Sequence, residues 1–281
     1  MLRMIVSDLD GTLLTNHHTI HPDNVTALRG AIAAGVVFAV ASGRTAASCA
    51  RILSAHHIPH SYIIAVNGCE IVSPSGEVLE RHHLANATAK EAMGIFRFSG
   101  LDACLYSEGS IVYTSRRMLL EQEGLPEETD LDRGLLIRGV HVRAGEAALL
   151  DELEKSPLKT FCVCRAGQER AFEAARLACG QIPGVELTSS WRDNFEVMPL
   201  SVNKGAAVAS LARRLGIARE EVIAFGDYDN DIPMLKWAGT GYAMGNAAPH
   251  VKQIADAVVA SNVDGGVAQG VREGMRGAWA R

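Results

Sequence analysis

Residues 5–12, with the sequence IVSDLDGT, constrain this chain most, because they place two carboxylates directly after a short apolar run. The run at residues 4–6 is typical of a buried strand, and the Asp-Gly pair that follows is typical of a turn. Because side chains alternate along a strand, Asp8 and Asp10 should face the same site. Two like charges this close need a shared proton or a bound cation. The alternative is an ordinary turn in which Asp10 bonds its own backbone.

The length and charge of the chain limit the classes of protein to which it can belong. A chain of 281 residues can bury a large core and is long enough for two domains. Hydrophobic residues at 48% and charged residues at 21% are ordinary for a soluble globular protein. The formal net charge of −5 predicts no general attraction to nucleic acid or to anionic membranes. A ligand that carries phosphate must therefore be attracted by local positive charge.

The sequence shows no pattern of membrane insertion or export. A bilayer span needs roughly 20 consecutive apolar residues. The longest candidate, residues 31–41, is shorter than that and contains Gly35. Asp8 and Asp10 interrupt what would have to be the apolar region of a signal peptide. We therefore expect a cytoplasmic protein that binds no membrane.

Strand and helix patterns alternate through the first part of the chain. The apolar, β-prone runs at residues 36–41 and 62–66 are separated by a helical pattern. Such alternation predicts a doubly wound parallel sheet, in which ligands bind at the carboxyl ends of the strands. Asp8, Ser42 and Asn67 all lie at such ends.

The middle of the chain has a different character. Residues 84–187 mix candidate strands with amphipathic helices, and the alternating pattern resumes later with a buried strand at residues 222–225. The mixture predicts an α+β domain inserted into the first domain. We therefore predict a Rossmann-like α/β core formed by residues 1–83 and 188–281, with an inserted α+β domain at residues 84–187.

A Ser-Gly-Arg segment at residues 42–44 follows the second strand. Ser42 and Gly43 offer a hydroxyl and backbone N–H groups just before a helix begins, which suits phosphate oxygens. The simpler interpretation is a helix cap and turn. Arg44 could hold the leaving group of a reaction or form a surface salt bridge.

Lys204 lies at the predicted start of a helix, in the sequence Asn-Lys-Gly. The helix dipole slightly disfavours a cation there. Charge compensation of a phosphate and a carboxylate would explain the position. A solvated lysine is the alternative.

The acidic segment at residues 226–231 follows another buried strand. Its three acids, Asp227, Asp229 and Asp231, repel one another and are hard to explain by packing. A hard divalent cation prefers such oxygen ligands. An EF-hand is excluded, because its glycine and terminal glutamate positions are unmatched.

The order of these four motifs resembles that of the haloacid dehalogenase (HAD) superfamily. The family pattern begins with Asp-x-Asp-Gly-Thr, here at residues 8–12, followed by a Ser or Thr, a Lys and an acidic cluster. The acidic motif, together with Gly-Asn-Ala at residues 245–247, is similar to the Cof-like group that carries a C2-type cap. The resemblance covers residues 1–83 and 188–281, and it implies that residues 84–187 form a cap of the C2B kind.

The resemblance implies a Mg²⁺-dependent phosphatase with an aspartyl-phosphate intermediate. Asp8 would be the nucleophile, and Asp10 the general acid and base. The residues implied in phosphate binding are Ser42, Gly43, Arg44, Lys204 and Asn230. Those implied in metal binding are Asp8, Asp10, Asp227 and Asp231, the second through its backbone carbonyl and the last by orienting water.

The expected partner is a small phosphorylated metabolite, such as a sugar phosphate, and the sequence leaves the oligomeric state open. A phosphohexomutase is an alternative. A metabolite-binding regulator with vestigial turnover is another, although the complete acid pair argues against it. In this family an acid at position 10 implies fast turnover of the aspartyl-phosphate.

Overall fold

The computed structural model describes residues 1–58, 61–131 and 134–277. The strands in these residues are β1 (Met4–Ser7), β2 (Val37–Ala41), β3 (Tyr62–Ala65), β4 (Glu70–Val72), β5 (Val78–Arg81), β6 (Asp102–Ser107), β7 (Ser110–Tyr113), β8 (Leu135–Ile137), β9 (Val140–Ala144), β10 (Pro157–Val163), β11 (Val185–Thr188), β12 (Asn194–Pro199), β13 (Val222–Gly226), β14 (Thr240–Ala243) and β15 (Ala257–Val258). The α-helices are α1 (Pro22–Ala33), α2 (Ala46–Ala55), α3 (Asn86–Phe98), α4 (Arg116–Glu123), α5 (Glu146–Leu153), α6 (Glu169–Cys179), α7 (Lys204–Arg214), α8 (Ile232–Trp237), α9 (Pro249–Ile254) and α10 (Gly266–Met275). Among the helices in these described ranges, none is both long enough and apolar enough to pass through a membrane.

The chain divides into two compact units. The first consists of Met1–Arg81 together with Asn203–Arg281, and the second of His82–Val202. The first unit is built on an eight-stranded sheet in the order β15-β14-β13-β1-β2-β3-β4-β5. The strands from β15 to β3 are parallel, whereas β4 and β5 are antiparallel to their neighbours. This topology confirms the predicted doubly wound fold class.

The centre of this sheet determines where a ligand can bind. Every residue of β1 and β13 is buried, as expected for parallel strands covered on both faces. The chain winds outward from β1 through β2 and β3 on one side, and from β13 through β14 on the other. Ligands of doubly wound sheets bind at this switch point, beyond the carboxyl ends of the strands. Asp8 and Asp227 directly follow β1 and β13 there.

The second unit has a seven-stranded sheet in the order β11-β12-β10-β6-β7-β9-β8. Neighbouring strands are antiparallel except β7 and β9, which are parallel. Its core includes alternate residues of the strands and apolar residues of α3, α5 and α6. The buried members include Ala89, Ala92, Met93, Phe96, Ala103, Leu105, Leu153, Cys162, Ala175, Cys179, Phe195 and Val197. The unit is therefore an α+β layer.

The second boundary of this unit differs from the prediction. The sequence pattern placed it at Leu187, whereas the second unit extends to Val202. The reason is β12, which pairs antiparallel with both β10 and β11 and so belongs to the second sheet. An apolar run shows that a strand is buried, but not which sheet it joins. The predicted core range therefore begins too early at residue 188.

Candidate active site

A buried ammonium group links two of the predicted acids. Lys204 is the first residue of α7 and is fully buried. Its Nζ donates to Asp8 Oδ1 at 2.6 Å and to Asp231 Oδ1 at 2.6 Å. These residues are far apart in the sequence, and the sheet topology brings them together at the carboxyl ends of β1 and β13. The interpretation of Lys204 as a solvated lysine is therefore wrong.

Asp231 closes the acidic loop on itself. Its Oδ2 accepts the backbone N–H of Asp227 at 2.9 Å and that of Tyr228 at 3.1 Å. A Cβ atom added at Gly226 would lie 2.4 Å from Asp231 Cβ, so the loop can bring Asp231 this close to its own start only if residue 226 is glycine. Both carboxylate oxygens of Asp231 are engaged, one with Lys204 and the other with the backbone.

Asp227 is held by the loop that follows β1. Thr12 Oγ1 donates to Asp227 Oδ1 at 2.7 Å. Gly11 has a φ of +78°, and a Cβ atom there would lie 2.4 Å from Asp227 Oδ2. The Nδ2 of Asn246 donates to the Gly11 carbonyl at 2.7 Å and secures the same loop. The close approach of the two acidic loops therefore depends on the Asp-Gly-Thr sequence.

The charges of this cluster do not balance. Carboxylate oxygens of Asp8, Asp227 and Asp231 lie within 4.8 Å of one another. Burial raises the pKa of Asp8 well above its usual value, although Lys204 opposes the shift. Burial, followed by repulsion from Asp231, raises the pKa of Asp227 to about 7. Burial alone would lower the pKa of Lys204, but attraction to Asp231 and Asp8 outweighs burial and raises it.

When all three carboxylates are ionised, they and the one ammonium leave two excess negative charges in a buried site. A divalent cation would neutralise them, and oxygen ligands are those that Mg²⁺ prefers. The donor set therefore fits a magnesium ion.

Asp10 lies apart from this cluster and is half exposed. Arg44 forms a bidentate ion pair with it, with Nε donating to Oδ2 and Nη2 to Oδ1, each at 2.7 Å. This geometry is the strong, directional form of an arginine–carboxylate contact. Of the two interpretations of Arg44, the structure contains the salt bridge, and the partner is Asp10, the predicted acid and base.

Ser42 and Asn230 are connected through Asn67. Ser42 is buried, and its Oγ accepts the backbone N–H of Arg44 at 3.2 Å, so the Ser-Gly-Arg segment, with Gly43 at its centre, forms a tight turn. The backbone N–H of Asn67 donates to the Ser42 carbonyl at 2.9 Å. Asn230 Nδ2 donates to Asn67 Oδ1 at 3.0 Å. Asn67, at the end of β3, therefore links Ser42 and Asn230, which are the phosphate-binding candidates of two other loops.

Three residues of this site are absent from the predicted set. Thr12 lies inside the first motif and Asn246 inside the Gly-Asn-Ala segment, so both had a signal in the sequence. Asn67 had only its place at a strand end. None of the three is acidic or basic, so none adds to the charge of the cluster.

The sequence is similar to those of known proteins over most of its length. The sequence profile of the haloacid dehalogenase-like hydrolases matches residues 5–271. The 5-amino-6-(5-phospho-D-ribitylamino)uracil phosphatase YcsE of Bacillus subtilis is 30% identical over 271 residues, which are 96% of this chain and 95% of that protein. An HMP-PP phosphatase of Serratia proteamaculans is 30% identical over 257 residues, 90% of this chain and 88% of that protein.

A solved structure gives the same result. A haloacid dehalogenase-like hydrolase from B. subtilis superposes with a TM-score of 0.84 at 27% identity, over 96% of this chain and 99% of that one. The profile match covers most of both sequence segments of the first unit and the whole of the second. The chain therefore belongs to the haloacid dehalogenase-like hydrolase family and is an enzyme of the hydrolase class.

Proposed function

We propose that this hydrolase is a Mg²⁺-dependent phosphatase that cleaves small phosphate monoesters through an aspartyl-phosphate on Asp8. The observation that supports this most strongly is the buried cluster of Asp8, Asp227, Asp231 and Lys204. Its excess of two negative charges suits a divalent cation. A phosphoryl group could then approach a site that is no longer strongly negative.

The cation would be held by the carboxylates of Asp8 and Asp227 and by the backbone carbonyl of Asp10. Both oxygens of Asp231 are already engaged, so we propose that it orients Lys204 and the metal-bound waters rather than binding the metal directly. When bound, Mg²⁺ would neutralise charge on the phosphoryl oxygens.

The chain's own residues would carry the covalent steps. Asp8 attacks phosphorus through one carboxylate oxygen, and the bond from phosphorus to the leaving oxygen breaks in line with the attack. Asp10 gives its proton to the leaving oxygen. In the second half of the reaction Asp10 takes a proton from water, which attacks the aspartyl-phosphate and releases inorganic phosphate while the Asp8 carboxylate is restored.

The remaining polar groups would bind and orient the phosphoryl group. Lys204 balances charge while it fixes Asp8 Oδ1, which leaves the other oxygen to attack. Ser42, the Gly43 N–H and Asn230 would contact the phosphoryl oxygens. Arg44 pairs with both oxygens of Asp10, and this pair would open when Asp10 carries the proton that it gives to the leaving oxygen. The released guanidinium would then meet the leaving group.

The relatives support a small metabolite as the substrate. One is named as a phosphatase of a phosphoribitylamino-uracil and another as an HMP-PP phosphatase. We propose that this enzyme acts on sugar phosphates or similar phosphorylated metabolites. We further propose that the second unit, His82–Val202, is its C2B-type cap.

Replacement of Asp8 by Asn tests the proposal, because it preserves shape but removes the nucleophile. We expect Mg²⁺-dependent release of phosphate from p-nitrophenyl phosphate to disappear. Asp229→Asn is a matched control, since Asp229 lies in the same acidic loop but pairs with His250. We expect that variant to stay within about twofold of the wild type, as surface ion pairs contribute little.

This assay and two further measurements separate the alternatives. Retained activity in Asp8→Asn would refute the assignment of the nucleophile. A phosphohexomutase would isomerise a sugar phosphate without net release of phosphate. A regulator would bind a metabolite with negligible hydrolysis, which calorimetry would detect.

A further inference from the structure

A short 3₁₀ turn at Val66–Gly68 has an unusual backbone. Its three residues have φ values of 50°, 54° and 104°, all in the left-handed region. A β-branched residue rarely adopts this region, because its Cβ substituents crowd the backbone. Val66 and Asn67 are both buried. The other non-glycine residues with positive φ in the described part of the chain are exposed: His18, His57, Arg138 and Ser201.

The backbone of this turn contacts two other loops of the candidate site. The N–H of Val66 donates to the Arg44 carbonyl at 2.9 Å, and the N–H of Asn67 donates to the Ser42 carbonyl at 2.9 Å. A Cβ atom at Gly68 would lie 2.6 Å from the carbonyl oxygen of Asn203, the N-cap of α7. The turn therefore packs against the residues immediately before Lys204.

The side chain of Asn67 contacts a fourth loop. Its Oδ1 accepts the Nδ2 of Asn230 at 3.0 Å within the buried part of the site. Asparagine is one of the few residues that tolerate a left-handed backbone, and it also carries an amide. Position 67 requires both properties.

We propose that the Val66–Gly68 turn fixes the phosphate-binding loops relative to one another, and that Asn67 is a positioning residue that orients the amide of Asn230. The proposal rests on the phosphatase function proposed above. A strained backbone persists only where the surrounding contacts determine it, and such strain is typical of functional sites. Here the turn contacts the Ser42–Arg44 segment, the start of α7 and the acidic loop, and these contacts hold its strained conformation.

Asn67→Gly is the most direct test. Glycine adopts a φ of 54° without strain, so this variant keeps the backbone and removes only the amide. We expect kcat for p-nitrophenyl phosphate to fall about 10- to 100-fold with a smaller change in KM, because a misdirected Asn230 would stabilise the transition state less. The matched control is His57→Gly, an exposed residue at φ 53° outside the site. It should stay within about twofold of the wild type.

A double-mutant cycle separates positioning from general destabilisation. If Asn67 acts through Asn230, Asn67→Gly should lower kcat by less than about twofold in an Asn230→Ala background. Independent, multiplicative losses would overturn the proposal. An unchanged kcat in the single Asn67→Gly variant would also overturn it, while leaving the phosphatase assignment intact.

A binding measurement keeps the two proposals distinguishable. If the wild-type protein released no phosphate, the phosphatase proposal would fail. The role of Asn67 would then be measured by calorimetry as the affinity for inorganic phosphate with Mg²⁺ present. We expect about tenfold weaker binding in Asn67→Gly and no change in His57→Gly. Equal affinities of wild type and Asn67→Gly, or no phosphate binding at all, would overturn the positioning role.

Discussion

Each of the two units contains a buried lysine paired with carboxylate, and the two environments differ in charge. In the second unit Lys159 Nζ lies 2.5 Å from Glu196 Oε2 and 4.7 Å from the centre of the Tyr106 ring. That pair carries no net charge, and the ring adds a cation–π contact. In the first unit Lys204 meets two carboxylates, with Asp227 close by.

The difference shows which buried charges suggest a ligand. A balanced pair inside a protein needs no further ligand, because attraction and hydrogen bonding offset much of the cost of desolvation. In the unbalanced cluster burial raises the pKa values of Asp8 and Asp227, and repulsion between the carboxylates adds to the rise. A further cation would relieve that repulsion. A buried lysine alone therefore does not indicate a ligand site. The excess of carboxylates around Lys204 does.

The largest effect should follow removal of the ammonium from the unbalanced cluster. We expect Lys204→Met to lower kcat/KM by about 10³-fold even at saturating Mg²⁺, because both the charge and the contact to Asp8 are lost. Steady-state release of phosphate measures it. Lys236→Met removes an exposed lysine of α8 and should change the rate by less than about twofold. Near-normal activity in Lys204→Met would contradict a functional difference between the two lysines.

The balanced pair should matter for stability instead. Lys159→Met leaves Glu196 buried without its ammonium partner, and we expect the free energy of unfolding to fall by about 3–5 kcal/mol. Lys159→Met combined with Glu196→Leu should recover most of that loss, because neither charge remains. Urea unfolding measures both variants. A double variant as unstable as the single one would show that the pair is more than a charge-balanced contact.

The smallest effect concerns the pH dependence of the unbalanced cluster. The pKa of Asp227 is raised to about 7, so without a cation the folded protein holds a proton there that the unfolded chain releases near pH 4. Stability should therefore fall as pH rises from about 4 to 7, and Mg²⁺ should offset the fall. We expect Mg²⁺ to bind about 30-fold more weakly at pH 5.5 than at pH 8, because the proton competes with the metal.

Thermal shift measured across a Mg²⁺ titration at both pH values tests this expectation. The increase in Tm should be clearly larger at pH 8. Asp229→Asn retains the cluster and should show the same dependence. An equal increase at both pH values would mean that Asp227 does not exchange a proton for the cation.

The sequence predicted the parts of the site that carry charge in a recognisable order. Asp8, Lys204 and Asp227 follow strands or begin helices whose apolar pattern is clear, so their meeting could be inferred from the topology of a wound sheet. The sequence left two roles open for Arg44. Only the coordinates revealed its pair with Asp10, because the spacing of residues does not determine the direction of a side chain.

Two other features could not be predicted for physical reasons. β12 has the same apolar composition whether it joins the first sheet or the second, and only its pairing with β10 and β11 assigns it. The role proposed for Asn67 depends on the left-handed backbone of the Val66–Gly68 turn. That turn contacts Ser42, Arg44 and Asn203, which are distant in sequence. Long-range contacts, rather than local preference, determine both.

The central position of β1 has a consequence for synthesis of the protein. Met4 pairs with Val37 on one side but with Val222 on the other, so one edge of β1 stays unpaired until a segment translated much later is present. A chain released early would expose that edge and would also lack the lysine and the acidic loop. Reactivity toward phosphate esters should therefore emerge only in polypeptide that extends past the acidic loop, and chains terminated before β13 should be inert and prone to self-association.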